Sequence, residues 1–248
     1  MTGIDFQQLQ PPPPLSDFVE SFWMLSNTTD EEKSVVIVPD GRIDLSFSFA
    51  PPYSLTLLGL ESQPSYGTIA PGATMYAISF KLLAMEYLFE QKFPTLVDRA
   101  YRLPADYFGL TSSYFGTFES FTEKLSNQLL LKLPKTIDPR KQQLFELVYA
   151  SHGAITVAEI AETIHWNSRQ INRYFNPMFG LSLKAYCTIL RFRASFQQIK
   201  EGNLFPEQDY ADQAHFIKNV KKFSGVTPKE LNRNTNDRFI QFSILKKL

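Results

Sequence analysis

The chain has 248 residues, 44% of them hydrophobic and 20% charged, with 22 Phe, 16 Pro and a single Cys. That composition excludes an intrinsically disordered chain and leaves apolar mass for one large domain or two ordinary ones; no run is long and apolar enough to span a bilayer. The formal net charge is zero, but the halves are unlike: residues 138–248 carry 16 Lys+Arg against 10 Asp+Glu, and residues 1–137 carry 9 against 15. An acidic N-terminal half and a basic C-terminal half point the latter toward a polyanion.

In chain order, "MTGIDFQQLQPPPP" lacks the basic start and apolar stretch of a secretory signal, so a cytoplasmic protein is expected. The proline run at 11–14 reads as a stiff lead-in. Strand signals follow at 33–39 (KSVVIVP), 42–49 (RIDLSFSF), 53–60 (YSLTLLGL) and 74–80 (TMYAISF). These are rich in β-branched and aromatic residues, several alternate with period two, and turn residues separate them. Consecutive strands with short turns predict an antiparallel sheet or small barrel. "LLAMEYLFEQKF" (82–93) reads as a helix. Residues 112–133 place Phe115, Phe118, Thr122, Leu125 and Leu129 at helical spacing, a stripe suited to the chain's own core or to a second subunit.

"LPKTIDPR" (133–140) reads as a linker, and everything beyond it as helical. "PRKQQLFELVYASHG" ends at Gly153. Thr156 and Glu159 form a capping box at the head of the next helix. "SLKAYCTILRFRASFQQIK" reads as one long helix closed by Gly202, and Cys187, with no partner for an internal disulfide, as a small packed residue.

Two segments of the basic half repeat. Gly180 and Gly225 lie 45 residues apart, and at that offset Asn167 meets Asp212, Ile171 meets Phe216, Arg173 meets Lys218, Phe175 meets Val220 and Ser182 meets Thr227. Asn167 and Asp212 suit N-caps, the apolar residues at i and i+4 make one stripe per helix, and each glycine can end its helix in a left-handed conformation. Ser182 and Thr227 then cap a following helix, with Pro228 at its first turn. Opposite the first stripe lie Arg169, Asn172, Arg173 and Asn176; Arg can fork onto guanine and Asn onto adenine. The second helix offers Ala214, Ile217, Lys218 and Lys221 there, better suited to phosphate. Residues 183–200 as a continuous helix would span roughly 27 Å, near the ~34 Å turn of B-DNA, so two reading helices could enter successive major grooves.

The stretches "ITVAEIAETIHWNSRQINRYFNPMFGLSLKAYCTILRF" and "YADQAHFIKNVKKFSGVTPKEL" resemble the two helix-turn-helix units and connecting helix of AraC/XylS transcription regulators, over roughly residues 138–234. More loosely, "VPDGRIDLSFSF" and "YAISFKLLAMEYLFEQKFPTLVDRAYRLP" are similar to the cupin-like sensor domain fused to such regulators. Three departures stand out. Ile164 and His165 replace the usual turn glycine of the first unit. Pro177 falls near the end of the first reading helix and should stop or kink it. "GNLFPEQDYADQ" is short for the second unit's scaffold helix and contains Pro206, which leaves that unit weakly supported.

The expected fold is an α+β N-terminal domain, an antiparallel cupin-like barrel or sheet plus helices, followed by an all-α domain with two helix-turn-helix motifs joined by a long helix. The expected division is 1–133 for sensing or dimerisation, 134–139 as linker, 140–234 for DNA binding and 235–248 as a tail. The expected contact residues are Ser168, Arg169, Gln170, Asn172 and Arg173 in the first helix, and Gln213, His215, Lys218, Lys221 and Lys222 in the second. Arg191 and Arg193 would meet phosphate or pair with neighbouring acids. The partners are double-stranded DNA, a small-molecule effector of the N-terminal domain and a second copy in a homodimer, with no membrane, cofactor or metal. The runner-up is a helical protein-interaction module that has lost strong DNA binding; behind it stands a small β-barrel enzyme. Against an enzyme, all three histidines (His152, His165, His215) lie in the helical half, and GxSxG, P-loop and CxxC motifs are absent. Asp40, Asp44 and Glu61 read as solvated turn and strand residues.

Overall fold

A computed structural model of the chain describes residues 3–48, 53–93, 95–104, 106–109, 116–206 and 210–245. Eight strands occupy the N-terminal part: β1 (Ile4–Leu9), β2 (Val19–Asn27), β3 (Lys33–Ile37), β4 (Ile43–Ser48), β5 (Ser54–Leu58), β6 (Ser65–Ile69), β7 (Thr74–Phe80) and β8 (Ala100–Leu103). Six form an antiparallel sheet in the order β1-β2-β7-β4-β5-β8, and β3 pairs with β6 in a second, two-stranded sheet. The antiparallel expectation holds. Among sheet neighbours only β1/β2 and β4/β5 are consecutive; β7 lies between β2 and β4. The strand signals at 33–39, 42–49, 53–60 and 74–80 correspond to β3, β4, β5 and β7. β1, β2, β6 and β8 went unread, β2 because the prolines before it obscured a strand with little polar alternation, only three of its nine residues being half-exposed.

The segment at 82–93 is a correction: its only helix is the single turn α1 (Ala84–Tyr87). Leu82, Leu83, Ala84, Met85, Leu88 and Phe89 are all buried while Glu90, Gln91 and Lys92 are exposed, so the segment fills a core at its apolar end and leaves it without forming a longer helix. α2 (Phe118–Leu131) follows, capped by Thr117, and turns Phe118, Phe121, Leu125 and Leu129 into the chain's own core, where Phe121 packs against Phe47 and Tyr76. The stripe is thus spent within the subunit; Phe115 lies outside the described residues.

The helical half contains α3 (Pro139–Ala150), α4 (Val157–Ile164), α5 (Ser168–Phe179), α6 (Leu183–Ala194), α7 (Phe196–Lys200), α8 (Gln213–Ser224), α9 (Pro228–Arg233) and α10 (Ile240–Ile244). Every anticipated cap is made: Thr156 with Glu159, Asn167, Ser182, Asp212 and Thr227 each accept an N–H of the helix they head. Gly180 and Gly225 end α5 and α8 at φ 78° and 75°. At Gly153 a side chain would collide with the Cys187 carbonyl, so the α3 terminus packs backbone to backbone on α6.

Two further expectations fail. The continuous helix over 183–200 breaks at Ser195, a fully buried residue whose hydroxyl donates to the Phe192 carbonyl at 2.6 Å; α6 therefore ends after 12 residues. The interruption is one residue long: Ser195 keeps right-handed helical angles (φ −82°, ψ −3°), Ile199 N–H donates to its carbonyl at 3.0 Å, and α7 starts at the next residue. Pro177 does not stop α5, which runs on to Phe179; a proline in the last turn removes one N–H and frees one carbonyl where solvent can serve it.

One buried cluster crosses 134–139. It runs from Leu15 and Phe22 through Leu82 and Phe89 to Phe145, Phe175, Phe179 and Tyr186. Tyr186 donates to the Gly41 carbonyl (2.9 Å), and the Tyr149 hydroxyl accepts the Leu82 N–H (3.0 Å) and, with the Tyr186 proton so used, donates to the Tyr186 oxygen (3.2 Å). A second cluster holds Phe192, Phe196, Phe216, Val220, Phe223, Phe239 and Phe242 with Val36 of β3 and Val38 just beyond its end. Within the expected tail, residues 235–245 are tied to the N-terminal half: Val36 N–H donates to Arg238 O (2.6 Å), and Gln241 clasps Val38 through both ends of its amide.

Candidate nucleic-acid interface

α4 and α5 are joined by His165 and two further residues. His165 takes the left-handed conformation (φ 56°, ψ 34°), the slot a glycine would fill without strain. Asn167 opens α5 in a reciprocal box with Gln170: the Asn167 side chain accepts Gln170 N–H and the Gln170 side chain accepts Asn167 N–H, both at 2.9 Å. Ile171, Phe175 and Phe179 are fully buried, and Phe175 packs on Phe179 and Tyr186. The opposite face carries Ser168, Arg169, Gln170, Arg173 and Asn176, all exposed, and half-buried Asn172. Among the described residues neither Arg169 nor Arg173 makes an ion pair.

The second unit is built alike. Asp212 accepts His215 N–H at 2.7 Å, and Phe216, Val220 and Phe223 are buried. The scaffold helix expected before α8 is not in the described part of 202–213: residues 203–206 and 210–212 are non-helical. Support comes instead from Tyr210 against Phe216, and from Phe192 of α6 stacked on Phe223 at 5.3 Å. Gln213, Lys218, Lys221 and Lys222 are exposed, with no ion pair among the described residues. His215 is half-buried, its Nδ1 accepting Ala211 N–H and its ring edge-on to Tyr210, so it is occupied in shaping the helix start. Gln170 is similarly engaged, leaving its amide NH₂ outward. Arg193 pairs with Glu20 of β2 across the two halves, which removes it from the phosphate set, and Arg191 lies against the Tyr210 ring.

α5 does not stand clear of the N-terminal half. The Tyr174 hydroxyl donates to Glu86 at 2.8 Å, Lys141 pairs with the same carboxylate and sits 4.8 Å from the Tyr174 ring, and Gly180 abuts Thr95 and Val97. Arg173 and Pro177 line a cleft of about 320 Å³ with Gln91, Lys92 and Phe93. Arg169, a turn earlier, lies outside that lining.

The two sheets face one another across a cavity of about 190 Å³. β1, β2, β3, β6 and β7 supply apolar walls, among them Trp23, Leu25, Val35, Ile69 and Met75, and α10 supplies Ile240, Gln241 and Ile244. Asp40, Arg42, Asp44 and Glu61 gather at its polar side. This corrects the reading of Asp40 as solvated, since it is 7% exposed; Asp44 and Glu61 are half-buried. Arg42 donates through Nε (2.8 Å) and Nη2 to Asp40, and its Nη1 lies 3.9 Å from Glu20. Asp44 accepts the Ser79 hydroxyl, which in turn accepts the Trp23 indole N–H at 3.1 Å; Glu61 accepts the Ser65 hydroxyl at 2.8 Å. Burial works against the charge of Glu20 and Asp40, but the guanidiniums of Arg193 and Arg42 outweigh it and hold both below the usual carboxylate range. Burial wins at the other two: Asp44 is pushed up to about 6 and Glu61 to about 8, with Asp40 adding to both. No three His, Cys, Asp or Glu among the described residues are placed to hold a metal ion, and no helix among them is long and apolar enough to cross a membrane. The missed signal was alternation: Asp40, Arg42, Asp44 and Ser46 occupy every second position into β4, one face of an otherwise apolar strand.

Residues 7–102 match a family described as a domain of unknown function (DUF6597), a span running from β1 to β8. No curated protein matches the chain. Among solved structures it is similar to ToxT from Vibrio cholerae bound to (E)-4-(8-methylnaphthalen-1-yl)but-3-enoic acid, at 11% identity and TM-score 0.43 over 92% of this chain and 96% of that one. It is also similar to unsaturated fatty acid-bound wild-type ToxT (10%, TM-score 0.41, 93% and 94%) and to ToxT without a named ligand (12%, TM-score 0.40, 93% and 97%). The likeness is distant, and no residue of this chain takes a role from it.

Proposed function

We propose that the protein is a sequence-specific, duplex-DNA-binding transcription regulator of AraC type, with α4–α5 and α8–α9 as two helix-turn-helix units. The observation that carries this reading is the repeat of one construction 45 residues apart. In each copy an Asx-capped helix buries an apolar stripe, ends in a left-handed glycine, leads into a Ser- or Thr-capped helix, and keeps its cationic face in solvent without intramolecular carboxylate partners among the described residues. Exposed Arg and Lys without partners are common on any single surface helix; their recurrence on the matching face of two helices built alike is what favours a polyanion. Such cations can exchange counterions for phosphates, and an Arg fork adds base discrimination.

In this reading α5 is the base reader through Arg169, with Arg173, Ser168 and Asn172 beside it, and α8 holds the phosphate backbone through Lys218, Lys221 and Lys222 with Gln213. His215 and Gln170 set helix geometry more than they touch DNA. The N-terminal half, with the partly open cavity between its sheets, is the sensing part. Selection of duplexes from a random pool at two salt concentrations tests this. The expected result is an enriched motif whose affinity falls steeply with salt. Equal retention of all sequences, or salt-insensitive capture, sinks it in favour of a protein-interaction module. A motif one helical turn long assigns base reading to α5 alone; one of about two turns requires both units.

A further inference from the structure

We propose that the cavity between the two sheets binds a small amphipathic organic cation, an ammonium or amidinium on a compact apolar body, with Asp44 and Glu61 as its acceptors. The charge arrangement carries this. Of the two guanidiniums near the cavity, Arg42 is held by Asp40 and faces Glu20, and Arg193 is held by Glu20. Two cations therefore answer two carboxylates. Asp44 and Glu61 are left over, each with one hydroxyl donor and, among the described residues, no ion pair. An anionic occupant would meet these acids while the Arg42 fork is already engaged. A neutral occupant would leave the acids as they are, whereas a cation supplies Asp44 with a counter-charge and favours loss of the proton from Glu61. Burial pushes both carboxyls up, offset at Asp44 only in part by the nearby Arg42 and at Glu61 only in part by Ser65.

Size and shape narrow the class. A cavity near 150 Å³ takes benzene, so about 190 Å³ suits one ring or a short branched chain carrying a one- or two-carbon arm. Trp23, Met75 and Ile69 would hold that body, and the indole of Trp23 is already tied through Ser79 to Asp44. The roof matters most for consequence. Ile240, Gln241 and Ile244 belong to α10, which follows the α8–α9 unit within a few residues and is fastened to β3 by Gln241 and Arg238. An occupant touches the element that joins sensing sheet to reading helices. The inference thus deepens the regulator reading by naming its effector's chemistry, while binding itself needs no DNA.

The test is calorimetric titration of the full chain at pH 7 with 2-phenylethylamine, 2-phenylethanol and 3-phenylpropanoate, which share a body and differ in charge. One-to-one saturable binding of the amine is expected, at least tenfold weaker binding of the alcohol, and none of the carboxylate. Glu61→Gln and Asp44→Asn should each weaken the amine at least tenfold with unchanged circular dichroism. Binding of the alcohol or carboxylate as tight as the amine overturns the proposal, as does failure of all three to bind, or amine affinity untouched in both variants. Should either variant misfold, the three-ligand comparison on the unaltered protein decides alone. Duplex affinity measured with and without saturating amine is the separate arm: amine binding by a protein with no duplex affinity upholds the cavity assignment and sinks the regulator reading.

Discussion

Arg169 and Glu61 show how differently a charged residue behaves once its surroundings are known. Arg169 is exposed and clear of the cleft that receives Arg173, so its whole fork is available. Arg169→Ala should cost about 1–3 kcal/mol of affinity for the selected duplex and relax preference at one base position; Lys221→Ala should weaken all duplexes alike and flatten the salt slope by about one. Competition binding against single-position variants of the site separates the two outcomes. Glu61 is the reverse case. Its carboxyl, near 4.5 when unfolded, is pushed up to about 8 by burial and by Asp40, with Ser65 only partly offsetting them. The folded chain therefore holds a proton there that the unfolded chain has lost, and stability from this group falls as pH rises from about 4.5 to about 8. Glu61→Gln should remove that slope and stabilise the protein at pH 8 by about 1–3 kcal/mol, read as urea midpoints at pH 5 and pH 8. A variant no more stable than the parent at pH 8 would mean the acid is already satisfied.

At the scale of single elements, caps and terminators carry most of the local definition. Asn167→Ala loses the arm that accepts Gln170 N–H, keeps the backbone N–H that donates to the Gln170 side chain, and should cost about 1 kcal/mol. His165 sits left-handed where its Cβ crowds the following peptide, so His165→Gly should stabilise by about 0.5–1 kcal/mol; a loss instead would show that the imidazole makes a contact beyond its backbone role. These local features were legible in the sequence because each depends on two to four neighbouring residues: Thr156 with Glu159, Asn167 with Ile171 and Phe175, Asp212 with Phe216. Where an element depends on what it packs against, the reading failed. The stretch 82–93 has helix-forming composition, yet its apolar end is spent filling a core. Ser195 divides α6 from α7 because a buried hydroxyl takes the nearest carbonyl, and burial at 195 is set by residues far away.

For the whole molecule, the two halves share their interior. Phe145, Phe175 and Phe179 pack in one cluster with Leu82 and Phe89, and Glu20 joins Arg42 and Arg193 in one ionic network spanning β2, the turn before β4 and α6. Thermal unfolding should therefore be a single calorimetric transition, not two. Glu20→Ala leaves two guanidiniums facing each other in a half-buried site and should cost about 1–3 kcal/mol, tempered by solvent access. Because Glu20 and Asp40 are held below the usual range, what they contribute is present at neutral pH and is lost as pH falls through their lowered values; the Glu20→Ala deficit should shrink in acid. Two separate transitions would mean that the halves fold independently despite the shared cluster.

The sequence by itself determined the order of β-rich then helical parts, the caps, the paired glycines and the solvent-facing Arg and Lys of α5 and α8, since periodicity and capping are properties of neighbours along a chain. Only the tertiary structure decided that Asp40 leaves water and Asp44 and Glu61 do so in part, that Arg193 turns to Glu20, that the tail returns through α10 to roof the cavity, and that the long connecting helix is interrupted at Ser195. Each of those outcomes is a balance of desolvation against a partner distant in sequence, and no window of neighbouring residues contains both sides of it.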